Sequence, residues 1–241
     1  SGLQAIISAG QQIETGQSQL ALAAGAEMFS RVPFAVTTSR WGNPRGNQQL
    51  EDVLEWCYRC PFSLEYMGDT AENLTEKYQY ERAPMDDYAV SSQTRALAAI
   101  ESGFLTKQIV AVDVPEGRST RVFDTDESPR EGITLERLAK LRPAFQEGGK
   151  VTAGNSSGVT DGAGAMLVGT RESMVANGVM PEARVVDWTV VGVPPRLMGH
   201  GPVPAIEKLL ARTGLTIPEI DYFEVNEAFA VVNLHVEAQL G

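Results

Sequence analysis

The apolar residues of this chain switch repeatedly between helical and extended spacing, and that alternation most constrains what it can fold into. Leu3, Ile6, Ile7 and Ile13 recur at helical spacing and predict a helix over 3–15, closed by Thr15-Gly16. Residues 19–25 form a short apolar run suited to a buried strand. Ala89, Ala96 and Ile100 share one face of a helix expected over 85–101. Asp86 and Asp87 would favour its first turn, and Ser102-Gly103 ends it. A strand is expected at 109–114, a short helix at 134–141, a buried apolar element at 165–168, a helix at 171–178 and a Val-rich strand at 184–193. Pro202 opens a helix that turns Val203, Ile206, Leu209 and Leu210 inward and stops at Gly214. A strand at 221–225 and a helix at 227–240, with Phe229, Val232, Val236 and Leu240 on one stripe, complete the pattern. Helices alternating with strands imply a layered α/β fold, and the helix–strand order near both ends allows two related halves.

Three stretches interrupt the alternation. Residues 30–80 lack clean periodicity and read as an insertion, 115–132 as an exposed charged loop, and 151–164 as a loop dense in Gly, Ser, Thr and Asn. With 241 residues there is room for one large or two small domains. The net charge of -11 argues against a nucleic-acid partner. A local basic cluster, Arg130, Arg137, Lys140 and Arg142, could still receive a small anion. No apolar run is long enough for a membrane span, so no membrane partner is expected. Two cysteines, Cys57 and Cys60, are too few for a disulfide framework and point to a reducing, cytoplasmic compartment. Ser1 opens directly into helical spacing and Gly241 follows an amphipathic run, so an internal segment is expected, with targeting signals out of view.

Three motifs carry a resemblance. They are Ser1-Gly2-Leu3-Gln4; Asn155-Ser156-Ser157-Gly158-Val159-Thr160-Asp161-Gly162-Ala163; and Met198-Gly199-His200-Gly201-Pro202 together with Asn226-Glu227-Ala228-Phe229-Ala230. Tyr66-Met67-Gly68, Thr70-Ala71-Glu72-Asn73 and Leu141-Arg142-Pro143-Ala144-Phe145 are weaker echoes. In order and spacing the chain resembles the thiolases along its whole length. That resemblance implies the thiolase fold: layers α-β-α-β-α in two similar halves with an inserted loop domain, incomplete here. Residues 1–30 and 161–180 would belong to the amino-terminal half, 31–160 to the coenzyme A-binding loop domain and 181–241 to the carboxy-terminal half.

The resemblance also implies acyl transfer between acyl-CoA thioesters, by Claisen condensation or thiolytic cleavage, in fatty acid metabolism. No cofactor would be permanently bound and no metal held. Coenzyme A and its acyl thioesters would be substrates, and the partners would be further copies in a homodimer or homotetramer. The nucleophilic cysteine of the family pattern would lie two residues before Ser1, at the amino end of the opening helix, where unpaired N–H groups and the helix dipole lower a thiol pKa. The catalytic histidine and second cysteine would lie beyond Gly241, so residues 1–241 by themselves are expected to be inactive. Asn226 would be the catalytic residue present, holding a water at the thioester oxyanion. Ser157 would contact the pantetheine arm and Arg130 the nucleotide end. Phe145, Ala153, Met67, Met198 and Phe229 would line the pantetheine and acyl pocket. Tyr66 stands where some short-chain thiolases carry histidine, which leaves chain-length preference open.

Rival readings stand beside these. By residue type Asn226 is also a helix N-cap, ahead of Glu227-Ala228-Phe229. Ser157 is also a turn hydroxyl, Arg130 a solvated arginine and the apolar residues plain core. Gly154, Gly158, Gly162 and Gly164 match neither nucleotide-phosphate glycine pattern. Cys57-Tyr58-Arg59-Cys60 could be a redox pair or half a zinc site, but it has no second pair and reads as two unremarkable thiols. His200 sits at a variable motif position, and His235 is expected to face away from the Phe229 stripe. A non-catalytic thiolase-fold protein that binds acyl-CoA or serves as a partner subunit is the alternative function.

Overall fold

Gly2–Glu14 forms helix α1, and the chain leaves it through Gly16, whose φ of 72° is left-handed. That turn lets the N–H groups of Gln17 and Ser18 bond back to the Gln12 carbonyl. The computed structural model describes residues 2–42 and 45–241, so Ser1 of the first motif lies outside the described residues. In order follow β1 (Leu20–Glu27), β2 (Phe34–Ala35), β3 (Glu51–Asp52), α2 (Val53–Cys57), α3 (Met67–Tyr78), α4 (Arg82–Glu101), β4 (Val112–Glu116), β5 (Ser119–Phe123), α5 (Leu135–Leu138), β6 (Gly162–Gly169), α6 (Arg171–Ala176), α7 (Pro202–Thr213) and α8 (Ala230–Leu240), with short 3-10 turns between some of them. Two compact units result: Ser1–Arg59, Val159–Gly192 and Pro204–Ile220 in one, Cys60–Gly158, Val193–Val203 and Asp221–Gly241 in the other. No helix among the described residues is long and apolar enough to cross a membrane.

In the first unit β1 and β6 pair antiparallel, from Leu20 opposite Gly169 to Glu27 opposite Gly162. The strands are rich in Gly and Ala, which lets α1 approach closely: a Cβ on Gly25 would stand 3.3 Å from the Gly2 Cα. Both strands were expected to be buried, yet only Ala23 is, and Leu22 and Met166 are 70% and 55% exposed. Apolar composition marks a strand that can be covered, but the covering element has to come from elsewhere in the fold. The expected strand at 184–193 does not form. Its polar groups go to α7 instead: Arg212 donates to the Trp188 carbonyl (3.2 Å) and Asp187 (2.7 Å), and Lys208 to the Val190 carbonyl (3.1 Å). Asp161 accepts the Ser30 N–H (2.9 Å) and its hydroxyl, which hold the carboxyl below its usual pKa, the hydroxyl contributing most.

The second unit is built around Ala71, Leu74, Met85, Val151 and Phe229–Val232. Helix α3, within the stretch expected to be irregular, supplies part of this core. Its inward face mixes Ala71 and Leu74 with buried Thr70, Glu72 and Thr75, so apolar spacing alone does not reveal it. The threonine hydroxyls bond carbonyls within the helix, and Glu72 accepts the N–H groups of Lys150 (3.0 Å) and Val151 (2.7 Å). Helix α4 starts three residues earlier than expected, which moves Asp86 out of the first turn. There it is buried and pairs with Arg82 at 2.7 Å. The expected strand at 109–114 is shifted to β4 and turns at Gly117 (φ 62°) into β5, so part of the supposed loop at 115–132 is a hairpin. Residues 221–225 form no strand, and Tyr222 is 91% exposed.

Helix α8 begins at Ala230 rather than 227, and its residues 230–236 are buried or half-buried on every side, not along a single stripe, while 237–239 are exposed. His235, expected to face outward, is 0% exposed. Its Nδ1 lies 3.0 Å from the Tyr80 hydroxyl and its Nε2 2.8 Å from His200 Nδ1, with the Tyr78 ring 4.4 Å away. Both ring nitrogens are thereby satisfied without a charge. The close approach of Phe145 to Gly68 at the start of α3 is equally specific. A Cβ on Gly68 would fall 2.2 Å from the Phe145 ring.

Two outcomes follow from this packing. Burial foremost, then His200 and Lys77, push the His235 pKa down from 6.5 to about 4. The unfolded chain therefore binds a proton near pH 6.5 that the folded chain refuses until about pH 4. Stability present above pH 6.5 should be lost progressively as pH falls, by on the order of 3 kcal/mol once below the folded value. Urea unfolding from pH 7 to pH 4 should show a shallower acid slope in His235→Gln than in the parent. An identical slope would refute this account of His235. Gly68→Ala should cost about 1–3 kcal/mol by overpacking, read as a lowered thermal midpoint that Phe145→Leu in the same chain partly restores.

Candidate functional site

All eight residues singled out in the sequence fall in the second unit. The loop carrying Ser157 is held by Asn155, which is buried. Its Oδ1 accepts the Thr152 N–H (2.8 Å), and its Nδ2 donates to Asp86 (2.9 Å) and the Lys150 carbonyl (3.2 Å). Its backbone carbonyl receives the Ala230 N–H at 2.9 Å. This explains why an Asn is needed there: the side chain must accept and donate at once, which an aspartate cannot do. Ser156 then bridges Phe229, and the Ser157 N–H donates to the Ala228 carbonyl at 3.0 Å. The Ser157 hydroxyl is thus displayed, exposed, beside the Ala228-Phe229 backbone.

Phe229 is buried and meets Phe145 edge to face, with centroids 6.1 Å apart and planes at 82°. Phe145 lies over Gly68, next to Met67. Phe145 and Met67 remain 39% and 37% exposed, so an apolar surface continues outward from buried Phe229. Ala153 is exposed in the Asn155 loop, and there Gly154 leaves space for Leu138 and Leu141. Met198 is 40% exposed, and the following Gly199 packs on Leu74 and Val232. The fold therefore gathers Met67, Phe145, Phe229 and Ser157. Arg130 is exposed on its own loop, tied through its N–H to Gln93 (2.8 Å) rather than to those residues.

Asn226 is exposed, and among the described residues its side chain has no hydrogen-bond partner. It is not a helix cap: the N-cap position of α8 is Phe229, three residues later. The N-cap reading of Asn226 is thereby overturned. The next residue, Glu227, is anchored instead. The Tyr88 hydroxyl donates to its Oε1 (2.8 Å) and the Ser92 hydroxyl to its Oε2 (2.6 Å). Burial first, and then the Glu227 carboxylate, raise the Tyr88 pKa.

Sequence reasoning missed these anchors because the partners lie far apart in the chain, Tyr88 and Ser92 being 139 and 135 residues from Glu227. It also missed the bidentate pair of Arg196 with Glu65, whose carboxyl is held below its usual pKa by Arg196 first and Asn73 second. The two histidines, distant in sequence, are in direct contact. Cys57 and Cys60 are free thiols, and no group of three or more His, Cys, Asp or Glu among the described residues could hold a metal ion. In the first unit, Gly2 at the amino end of α1 borders a cavity of about 550 Å³ lined mainly by Ala, Gly and Ile6, with Glu27 and Asp161 at its acidic edge.

Comparison with known proteins agrees along the whole chain. The thiolase N-terminal domain matches residues 1–172 and the thiolase C-terminal domain residues 179–241. The beta-ketothiolase of Cupriavidus necator is 44% identical over 243 residues, covering 100% of this chain and 61% of that protein. Among solved structures, the acetyl-CoA acetyltransferase of Bacillus anthracis superposes with a TM-score of 0.94 at 43% identity, covering 100% of this chain and 61% of that one. Human mitochondrial 3-ketoacyl-CoA thiolase in complex with CoA gives 0.92 at 38% identity, over 100% and 60%. The chain thus spans about three fifths of the length of the relatives it matches. The chain therefore carries the greater part of an α/β thiolase fold, and it belongs to the thiolase family.

Proposed function

We propose that the protein containing this chain transfers acyl groups between coenzyme A thioesters, by thiolysis of 3-ketoacyl-CoA or the reverse Claisen condensation. The single observation that carries the reading is the seating of Ser157 against the Ala228 carbonyl, two residues from Asn226, beside the Phe145 ring that packs on Phe229 and over Gly68, the neighbour of Met67. An exposed hydroxyl beside a half-exposed apolar surface suits the pantetheine arm, which alternates amides with methylenes. Ser157 would bond that arm, while Met67, Phe145, Phe229, Met198 and Ala153 would line its path. Arg130, exposed and clear of the others, would meet the nucleotide phosphates. Residues 31–160 would form the coenzyme A-binding loop domain, flanked by parts of two similar halves at 1–30 with 161–180 and at 181–241.

In this reading a cysteine thiolate from the amino side of α1 attacks the thioester carbonyl. In the condensation direction the acyl–sulfur bond to coenzyme A breaks as a new one to the enzyme forms, and coenzyme A leaves as its thiolate, which takes a proton from the catalytic histidine. Asn226, whose amide has no partner among the described residues, would hold a water against the oxyanion that develops. The nucleophile, the catalytic histidine and the second cysteine are assigned outside residues 1–241. We further assign the activity to fatty acid metabolism in the cytoplasm, and to a homodimer or homotetramer.

Two measurements test this. In the protein containing this chain, Asn226→Ala should lower kcat for thiolysis by roughly 100- to 1,000-fold with a smaller change in KM, because the oxyanion charge grows toward the transition state. A loss of thermal stability at unchanged kcat would instead make Asn226 structural. Residues 1–241 expressed alone should show no thiolysis of acetoacetyl-CoA. Measurable turnover would overturn the placement of the nucleophile.

A further inference from the structure

Asp221–Val225 pairs with no strand, and among the described residues the Asn226 side chain has no partner. Helix α8 itself is held by other means: Phe229 is buried under Phe145, and the Ala230 N–H donates to Asn155. Glu227 lies between Asn226 and this helix. Both of its carboxylate oxygens are engaged, one by Tyr88 and one by Ser92. Those hydroxyls stand four residues apart on one face of α4, a helix of twenty residues, so the carboxylate is gripped by a rigid element at two points. A charged acceptor with two hydroxyl donors gives short, directional bonds, here 2.8 and 2.6 Å. The grip fixes the peptide that joins Glu227 to Asn226.

We infer that Tyr88 and Ser92 are positioning residues, which act through Glu227 to fix the Asn226 amide where it can hold a water against the developing oxyanion. The inference rests on the thiolase reading of Asn226. Neither hydroxyl is needed to seat α8, so losing one should displace Asn226 without unfolding the unit. A purely structural bond would do the opposite.

The test is a double-mutant cycle in the protein containing this chain, assayed for thiolysis of acetoacetyl-CoA. Tyr88→Phe keeps the ring and removes the hydroxyl. It should lower kcat roughly ten- to hundredfold through misplacement of the amide, with KM changed less than about twofold. Ser92→Ala should act in the same direction, and Ser92→Thr, which keeps the hydroxyl, should recover most of the rate. In an Asn226→Ala background, Tyr88→Phe should cost less than about twofold, since the group it positions is gone. The same loss in both backgrounds, or an unchanged kcat in Tyr88→Phe and Ser92→Ala, would overturn the inference while the role of Asn226 stands. An unchanged kcat in Asn226→Ala alone would remove the reading beneath it, and the inference with it.

Discussion

Two buried polar side chains, Glu72 and Asn155, hold the arrangement on which the candidate site depends. The segment 150–157 has no strand or helix of its own, so its backbone N–H groups must find partners elsewhere. Glu72 takes those of Lys150 and Val151, and Asn155 takes that of Thr152 while reaching Asp86. Val151, Thr152 and Asn155 are all buried, so each of these bonds replaces one that water cannot supply. Arg82 extends the network, pairing with Asp86 and donating to the Leu138 and Leu141 carbonyls. One connected set of polar groups therefore sets the height at which Ser156 meets Phe229 and Ser157 meets Ala228. Such networks reward completeness: removing one member leaves the others buried and unpaired.

The same logic runs through α8. The first two turns of this helix are buried on every side and leave no polar face for a histidine, yet His235 is there with no exposed surface. Tyr80 and His200 make this possible by occupying both ring nitrogens, so that a neutral imidazole is accommodated as a hydrogen-bonded part of the core. The glycines of Met198-Gly199-His200-Gly201-Pro202 fit the same picture. A Cβ on Gly199 would stand 3.0 Å from both Leu74 and Val232, so the absence of a side chain lets this turn press against α3 and α8 and deliver His200. A motif that reads as a family signature is here also a packing requirement.

Much of the candidate site was legible because its motifs are local. Asn155 through Gly158 and Asn226 through Ala230 stood out as short words, and the fold seats Ser157 directly against Ala228. Arg130 was placed by position in a loop rather than by a motif, and the fold does not bring it to the others. The anchoring of Glu227 was not legible. Hydroxyls at Tyr88 and Ser92 have no periodic signature, and their partner lies on a segment far along the chain. Helix α3 escaped because periodicity detects apolar faces, and its buried face interleaves threonine and glutamate with Ala71 and Leu74. The expected strands at 184–193 and 221–225 failed for a complementary reason. Valine-rich and aromatic runs state a preference for extended backbone, but a strand exists only when a neighbour accepts its hydrogen bonds.

The sequence by itself determined the alternating α/β character, most helix positions, the turn glycines and the family motifs, because each is written in residues a few positions apart. Spacing within a turn of helix and the φ a glycine can reach are properties of short chain segments. Only the tertiary structure decided which polar groups are buried, that His235 lies inside the core, and that Glu227 rather than Asn226 is anchored. Those outcomes depend on partners that meet across more than a hundred residues, where desolvation and hydrogen-bond completion are settled by packing and not by local preference.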